Sequence, residues 1–122
     1  MQIIIKTSYG EVKGEIDEKK NPITARKIIE SLPIEGRVNR WGDEIYFEIP
    51  VQIDEENSQE EVEVGDIAYW PPGNALCIFF GRTPVSETEK PKAYSPVNVI
   101  GKVGGTSVFK KMKDGDDIFI SK

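Results

Sequence analysis

The side chains of this sequence that could do chemistry are arginines, carboxylates, one thiol and a set of aromatic rings. The residue that most often moves protons near neutral pH is missing. The 122 residues contain no histidine, which excludes a Ser-His-Asp triad, a Cys-His pair and any imidazole-based metal site. Any catalysis would rest on carboxylates, arginine, hydroxyls or the backbone. Arg40 and Arg82 are the cations to watch: if they converge on the aromatic rings, their planar forks of donors suit a carboxylate or a peptide carbonyl. Otherwise each is an ordinary partner for surface carboxylates. Asp43 and Glu44 are adjacent acids, but neighbours on a strand point to opposite faces, so they do not read as an acid/base pair. Asp43 after Gly42 and Asp66 after Gly65 read as turn caps, and Glu44 as a solvated strand residue. Cys77 sits in an apolar run with no group to lower its thiol pKa and reads as a small hydrophobe rather than a nucleophile. Residues 54–63 carry six carboxylates without the ligand order or central glycine of a calcium loop, and read as a solvated turn. Gly104-Gly105 lacks the Gly-Lys-Ser/Thr pattern of a phosphate loop and reads as a bend. No metal and no cofactor is expected.

The aromatic rings gather in residues 64–84, which hold Tyr69, Trp70, Phe79, Phe80 and the single cysteine. Residues 67–70 run apolar, Pro71-Pro72-Gly73-Asn74 supplies a turn, and residues 75–80 run apolar again, so this reads as a strand–turn–strand unit. Alternation places Leu76, Ile78 and Phe80 on one face and Cys77 and Phe79 on the other. In the plain reading both faces are hydrophobic layers. In the functional reading Cys77 and Phe79 line an outer pocket with Trp41, Tyr69 and Trp70, and with Arg82 at the strand end. Aromatic side chains without a basic stripe suit a peptide or a small apolar ligand better than nucleic acid.

The elements that must position these residues follow from pattern. Residues 1–8 and 11–16 read as an opening hairpin around Tyr9-Gly10. Asn21-Pro22 starts a helix, with Asn21 as its cap and Ala25, Ile28, Ile29 and Leu32 on one face, and Pro33 ends it. Residues 34–43 look irregular, and residues 44–50 alternate, with Ile45, Phe47 and Ile49 on the core side. Residues 85–96 read as a polar, mobile loop broken by Pro91 and Pro96. Residues 97–103 form a β-branched strand, Phe109 and Met112 sit on a short helical turn, and residues 118–120 are the last strand. The fold class expected is mostly β: a closed or nearly closed barrel of about eight strands, with one main α-helix and one short C-terminal helical turn.

At 122 residues the chain fits one domain, residues 1–122, with one core. One cysteine cannot form an internal disulfide, no export leader precedes the first strand, and no apolar run is long enough for a membrane helix, so a cytoplasmic protein with no membrane partner is expected. Sixteen basic against twenty-one acidic residues give a net charge of -5, which disfavours nucleic acid. The Glu- and Lys-rich composition resembles that of thermophile proteins.

Three segments resemble the cyclophilin family of peptidyl-prolyl isomerases. Thr7-Ser8-Tyr9-Gly10-Glu11-Val12-Lys13-Gly14-Glu15-Ile16 followed by Asn21-Pro22-Ile23-Thr24-Ala25 is similar to the family's first hairpin and helix start. Residues 74–80 resemble its Asn-Gly-Ser-Gln-Phe-Phe-Ile strand, and Val99-Ile100-Gly101-Lys102-Val103 with Gly105 resembles its Phe-Gly-Lys-Val-x-x-Gly run. The segments occur in the family's order and touch about a third of the chain. Trp41-Gly42-Asp43-Glu44-Ile45-Tyr46-Phe47 and Gly65-Asp66-Ile67-Ala68-Tyr69-Trp70-Pro71 look more like a small microbial group of divergent cyclophilin-like proteins.

The resemblance implies a barrel and a proline pocket. The family arginine corresponds to Arg40, in Val38-Asn39-Arg40 where cyclophilins have Phe-His-Arg, and a pocket phenylalanine corresponds to Phe79. The family glutamine falls at Cys77, its late histidine at Pro96 or Val97, and its Gln-Gly-Gly-Asp stretch has no counterpart. The leading expectation is therefore a cyclophilin-like binding module for a peptide segment or small ligand, monomeric or weakly homo-oligomeric. The alternatives are an atypical prolyl isomerase using Arg40 and a subunit whose exposed aromatics form an interface.

Overall fold

The computed structural model describes residues 1–122. β1 (Gln2–Thr7) and β2 (Gly10–Ile16) form the opening hairpin, in register from Thr7↔Gly10 to Gln2↔Glu15. Gly10 has φ 134°, a conformation that side-chain-bearing residues avoid, and this lets the chain reverse there. α1 (Pro22–Ser31) follows, with Pro22 in the first turn and Ala25 and Ile28 buried. Asn21 does not cap it. Its amide donates to the Val99 carbonyl at 2.8 Å and its Oδ1 accepts from Asn57 N at 2.7 Å, while the free N–H groups of Ile23 and Thr24 donate to the Glu56 carboxylate. A helix start needs an acceptor, and here a distant acidic loop supplies it.

The remaining elements are β3 (Ile34–Arg37), β4 (Asn39–Trp41), β5 (Glu44–Glu48), β6 (Gln59–Glu61), β7 (Asp66–Trp70), β8 (Ala75–Phe79), β9 (Lys92–Val103), α2 (Ser107–Lys110) and β10 (Asp117–Ser121). The strands form one sheet in the order β3-β10-β1-β2-β9-β7-β8-β5-β4, with β6 added beside β9. The two ends of that path, β3 and β4, are separated along the chain only by Val38. The sheet thus curls into a barrel-like wrap that is not fully closed by hydrogen bonds, and the backbone itself joins its two edges. The strand count is ten rather than about eight.

The extra strands come from segments without a clean apolar alternation. β3 exposes Glu35 and Arg37, and Gly36 meets Phe47 so closely that a Cβ there would lie 2.9 Å from its ring. β6 is cut from the acidic run and pairs with β9 through Gln59↔Val97 and Glu61↔Lys92. β9 also shortens the loop expected over residues 85–96 to residues 85–91, since it begins at Lys92 and includes Pro96. Proline is tolerated there because the ladder with β7 begins only at Asn98 and the ladder with β6 shifts register between Val97 and Lys92, so no ladder bond requires an N–H at Pro96.

Side chains on the two faces of the sheet build two cores. The larger contains 22 buried residues, among them Ile3, Ile5, Phe47, Tyr69, Ile78 and Phe80. The smaller lies on the opposite face and contains Val62, Ala68, Cys77, Phe79, Ala93, Val97 and Val99, with Tyr46 and Trp70 packed against it. Strand β8 feeds both: Leu76 and Ile78 point into the larger core, Cys77 and Phe79 into the smaller. No helix is long and apolar enough to cross a membrane.

Candidate functional site

The smaller core does not close over completely. Trp41, Glu44, Tyr46, Trp70, Ala93, Tyr94 and Val97 line a cavity of about 200 Å³ on its outer side. Three local devices set this geometry. First, β4 and β5 are joined by the two-residue turn Gly42-Asp43, which places Trp41 opposite Glu44. Gly42 has φ 61°, and a Cβ on it would come within 2.7 Å of Pro84 Cδ, so only glycine fits the turn. Asp43 N donates to Arg82 O at 2.9 Å and Phe80 N donates to Asp43 O at 2.8 Å, which pins the turn to the strand end beyond β8.

Second, the chain leaves β7 through a 3-10 turn, Pro71–Gly73, and returns at Asn74, which has φ 48°. The Trp70 ring folds over Gly73, where a Cβ would lie 2.5 Å from Trp70 Cε3. Trp70 Nε1 donates to Ser95 Oγ at 2.7 Å, which fixes the indole against β9. Third, the rings brace one another edge to face: Trp41 to Tyr94 at 6.0 Å, Tyr94 to Trp70 at 6.2 Å and Trp70 to Tyr46 at 6.2 Å between centroids. Such pairs favour fixed ring orientations. Tyr94 stands at the rim, 72% exposed.

Glu44 is the anomaly within this apolar wall. It is 6% exposed, and its Oε1 is buried with no hydrogen-bond partner. Burial pushes its carboxyl up to about 7, and the Cys77 thiol beside it offsets only part of that rise. The reading of Glu44 as a solvated strand residue is corrected here. Alternation put it on the face away from the larger core, but that face is itself buried in the smaller core, which Phe79 and Cys77, the ladder partners of Glu44 and Tyr46, share with Ala93 and Val97 of β9. Burial, with a smaller contribution from Glu44, pushes the Cys77 thiol well above its usual range, so it packs as a hydrophobe and is not a nucleophile.

The structure separates the residues that the sequence grouped as a site. Trp41 and Trp70 line the cavity. Cys77 and Phe79 lie beneath it in the smaller core. Tyr69 points into the larger core, where its hydroxyl donates to Val51 O at 2.6 Å and accepts from Ile53 N at 3.2 Å. Arg40 also faces away from the cavity: its guanidinium stacks over the Phe80 ring at 5.0 Å and donates to the carbonyls of Gly42, Lys110 and Met112 and to Asp43 Oδ1. Arg82 donates to Ser86 O and reaches Glu89 Oε1 at 3.5 Å. No three acidic or thiol side chains converge as metal ligands would.

The model of the cyclophilin-like family matches residues 1–121. The chain belongs to the cyclophilin-like family. The solution structure of a hypothetical protein from Archaeoglobus fulgidus is similar to it, at 41% identity and a TM-score of 0.83, with 99% of this chain and 93% of that one covered. The structure of McbB in complex with tryptophan shares the fold at 14% identity and a TM-score of 0.74; it covers 98% of this chain, which spans only 44% of McbB. No curated relative matches the sequence. In this cyclophilin-like protein Arg40 ties α2 to the β4–β5 turn, and Phe79 is sealed in the smaller core.

Proposed function

We propose that this cyclophilin-like domain, residues 1–122, is a binding module whose ligand, a small molecule or a single side chain of a peptide, enters the cavity beside Glu44. The observation that carries this reading is a preformed pocket braced by four aromatic rings around a buried acid without a partner. Pockets that bind drug-sized molecules typically enclose ~300–1,000 Å³, so the smaller cavity here suits one side-chain-sized group rather than a stretch of peptide. McbB, of which this chain spans 44%, has been solved in complex with tryptophan, a ligand of the size this cavity suits. A cytoplasmic location and a monomeric or weakly self-associating state are part of the same proposal. Light scattering over micromolar concentrations should give a mass near that of the 122-residue chain, and a stable dimer would favour an interface role for Tyr94.

Isomerase activity is the less favoured reading, because proline catalysis in the family calls for an arginine poised over a phenylalanine pocket. Arg40 and Phe79 lie on opposite faces of the sheet, and the donors of Arg40 are already engaged. A proline-isomerisation assay on a short peptide should return the uncatalysed rate. A catalysed rate that disappears in Arg40→Ala would reverse this reading.

A further inference from the structure

The chemical class of the ligand follows from what the pocket offers and what it lacks. Its walls present aromatic faces and edges from Trp41, Tyr46, Trp70 and Tyr94, and its one charged group is Glu44. No lysine or arginine lines it, and the chain carries a net charge of -5, so an anion would find no counter-charge. A neutral apolar ligand would leave Glu44 Oε1 without a donor, which is unfavourable. A metal ion would find one carboxylate and aromatic walls, far short of the oxygen ligands that a hard cation requires. An organic cation meets both features. Aromatic faces attract it through the ring quadrupole, an attraction that strengthens when the site excludes water, and an ammonium N–H supplies the missing hydrogen bond to the acid.

We propose that the pocket binds a protonated alkylamine, its ammonium group donating to Glu44 and its alkyl carbons packed among Trp41, Tyr46, Trp70 and Tyr94. This rests on reading the cavity as a ligand site. The same chemistry is offered by a free amine and by a lysine side chain presented at the rim beside Tyr94. The groups around Glu44 are Phe79 and the Cys77 thiol from β8, Tyr46 from its own strand and Tyr94 from β9, none of them a cation.

The test uses the protein's own reporters, since its two tryptophans, Trp41 and Trp70, both line the cavity. Tryptophan fluorescence of the full chain is titrated at pH 8 with n-butylamine, with its neutral counterpart n-butanol, and with Nα-acetyl-lysine amide. At that pH an alkylamine is charged, its pKa being about 10. The expected result is saturable binding of n-butylamine at least tenfold tighter than n-butanol, with the preference abolished in Glu44→Gln. Tighter binding of the capped lysine than of n-butylamine names a peptide side chain as the source, and the reverse names a free amine; either supports the proposal. Equal or stronger binding of n-butanol would overturn the amine assignment while leaving the pocket a ligand site. No saturable response from any of the three would overturn both. The amine-to-alcohol contrast is read on the wild-type chain and so stands even if the variant folds poorly.

Discussion

Arg40 and Glu44 sit four residues apart on either side of one tight turn, and the protein treats their charges in opposite ways. The Arg40 guanidinium, with its side chain 29% exposed, has acceptors from Gly42, Asp43, Lys110 and Met112 and a ring beneath it. Glu44 is more deeply buried and has an oxygen with no partner at all. A satisfied charge ties elements together, here the β4–β5 turn to α2. An unsatisfied one costs stability, and folds tend to retain such groups where a ligand or reaction uses them. The residue to which the family resemblance assigned catalysis is thus engaged in structure, and the residue read as solvated is the exposed cavity's one charged group.

The contrast is tested most severely by pH. The carboxyl of Glu44 moves from 4.5 to about 7 on folding, so between those values the folded state holds a proton that the unfolded chain has released. Its contribution is therefore favourable below about pH 4.5, and stability falls as pH rises, levelling off above about pH 7. A shift of this size corresponds to a loss on the order of 3 kcal/mol at pH 8 relative to pH 4. Glu44→Gln removes the titration. In urea denaturation the variant should gain on wild type from pH 5 to about pH 7 and then hold a constant lead to pH 8. A difference that stays flat over that range would mean that Glu44 is solvated after all.

Arg40 should behave in the opposite sense. Arg40→Ala strands four acceptors and a ring, and we expect it to lose about 2 kcal/mol, as for other substitutions that break a network of charged hydrogen bonds. Arg40→Lys keeps the charge but not the fork, and should recover less than half of that. n-Butylamine affinity should stay within twofold of wild type in both. If Arg40→Ala instead left stability intact and lost ligand, Arg40 would belong to the site, and the division between the two sides of the turn would fail.

How much of this was legible in the sequence depends on the reach of each signal. Elements with local patterns were readable: the β1–β2 hairpin, α1 with its Ala25 and Ile28 face, and the alternation that divides β8 between two cores. The edge strands were not. Gly36 and the acidic β6 gain their conformation from Phe47 and β9, partners distant in the chain. The site failed for the same reason in sharper form. Strand alternation correctly placed Glu44 and Tyr46 away from Ile45 and Phe47, but whether that face meets water depends on what β8 and β9 lay over it. Tyr94 was lost with the loop expected over residues 85–96. The available clue was that β8 is apolar on both faces, which requires a second core and therefore buries whatever faces Cys77 and Phe79 from β5.

Arg82 completes the comparison as the case where charge should matter least. It follows Gly81 and, like Arg40, was a candidate to reach the aromatic rings. Its side chain is 51% exposed, and its ionic partner Glu89 is 95% exposed and 3.5 Å away. An ion pair so open to water and salt contributes between roughly 0 and 1 kcal/mol. The backbone around it is held independently, because Arg82 O accepts from Asp43 N whatever side chain the residue bears. Arg82→Ala should therefore change the unfolding free energy read from urea denaturation by less than about 0.5 kcal/mol, the usual range for surface substitutions, and leave amine binding unchanged. A tenfold loss of n-butylamine affinity in this variant would indicate that its guanidinium leaves Ser86 to act at the cavity, and that the β4–β5 turn does not separate structural charge from functional charge.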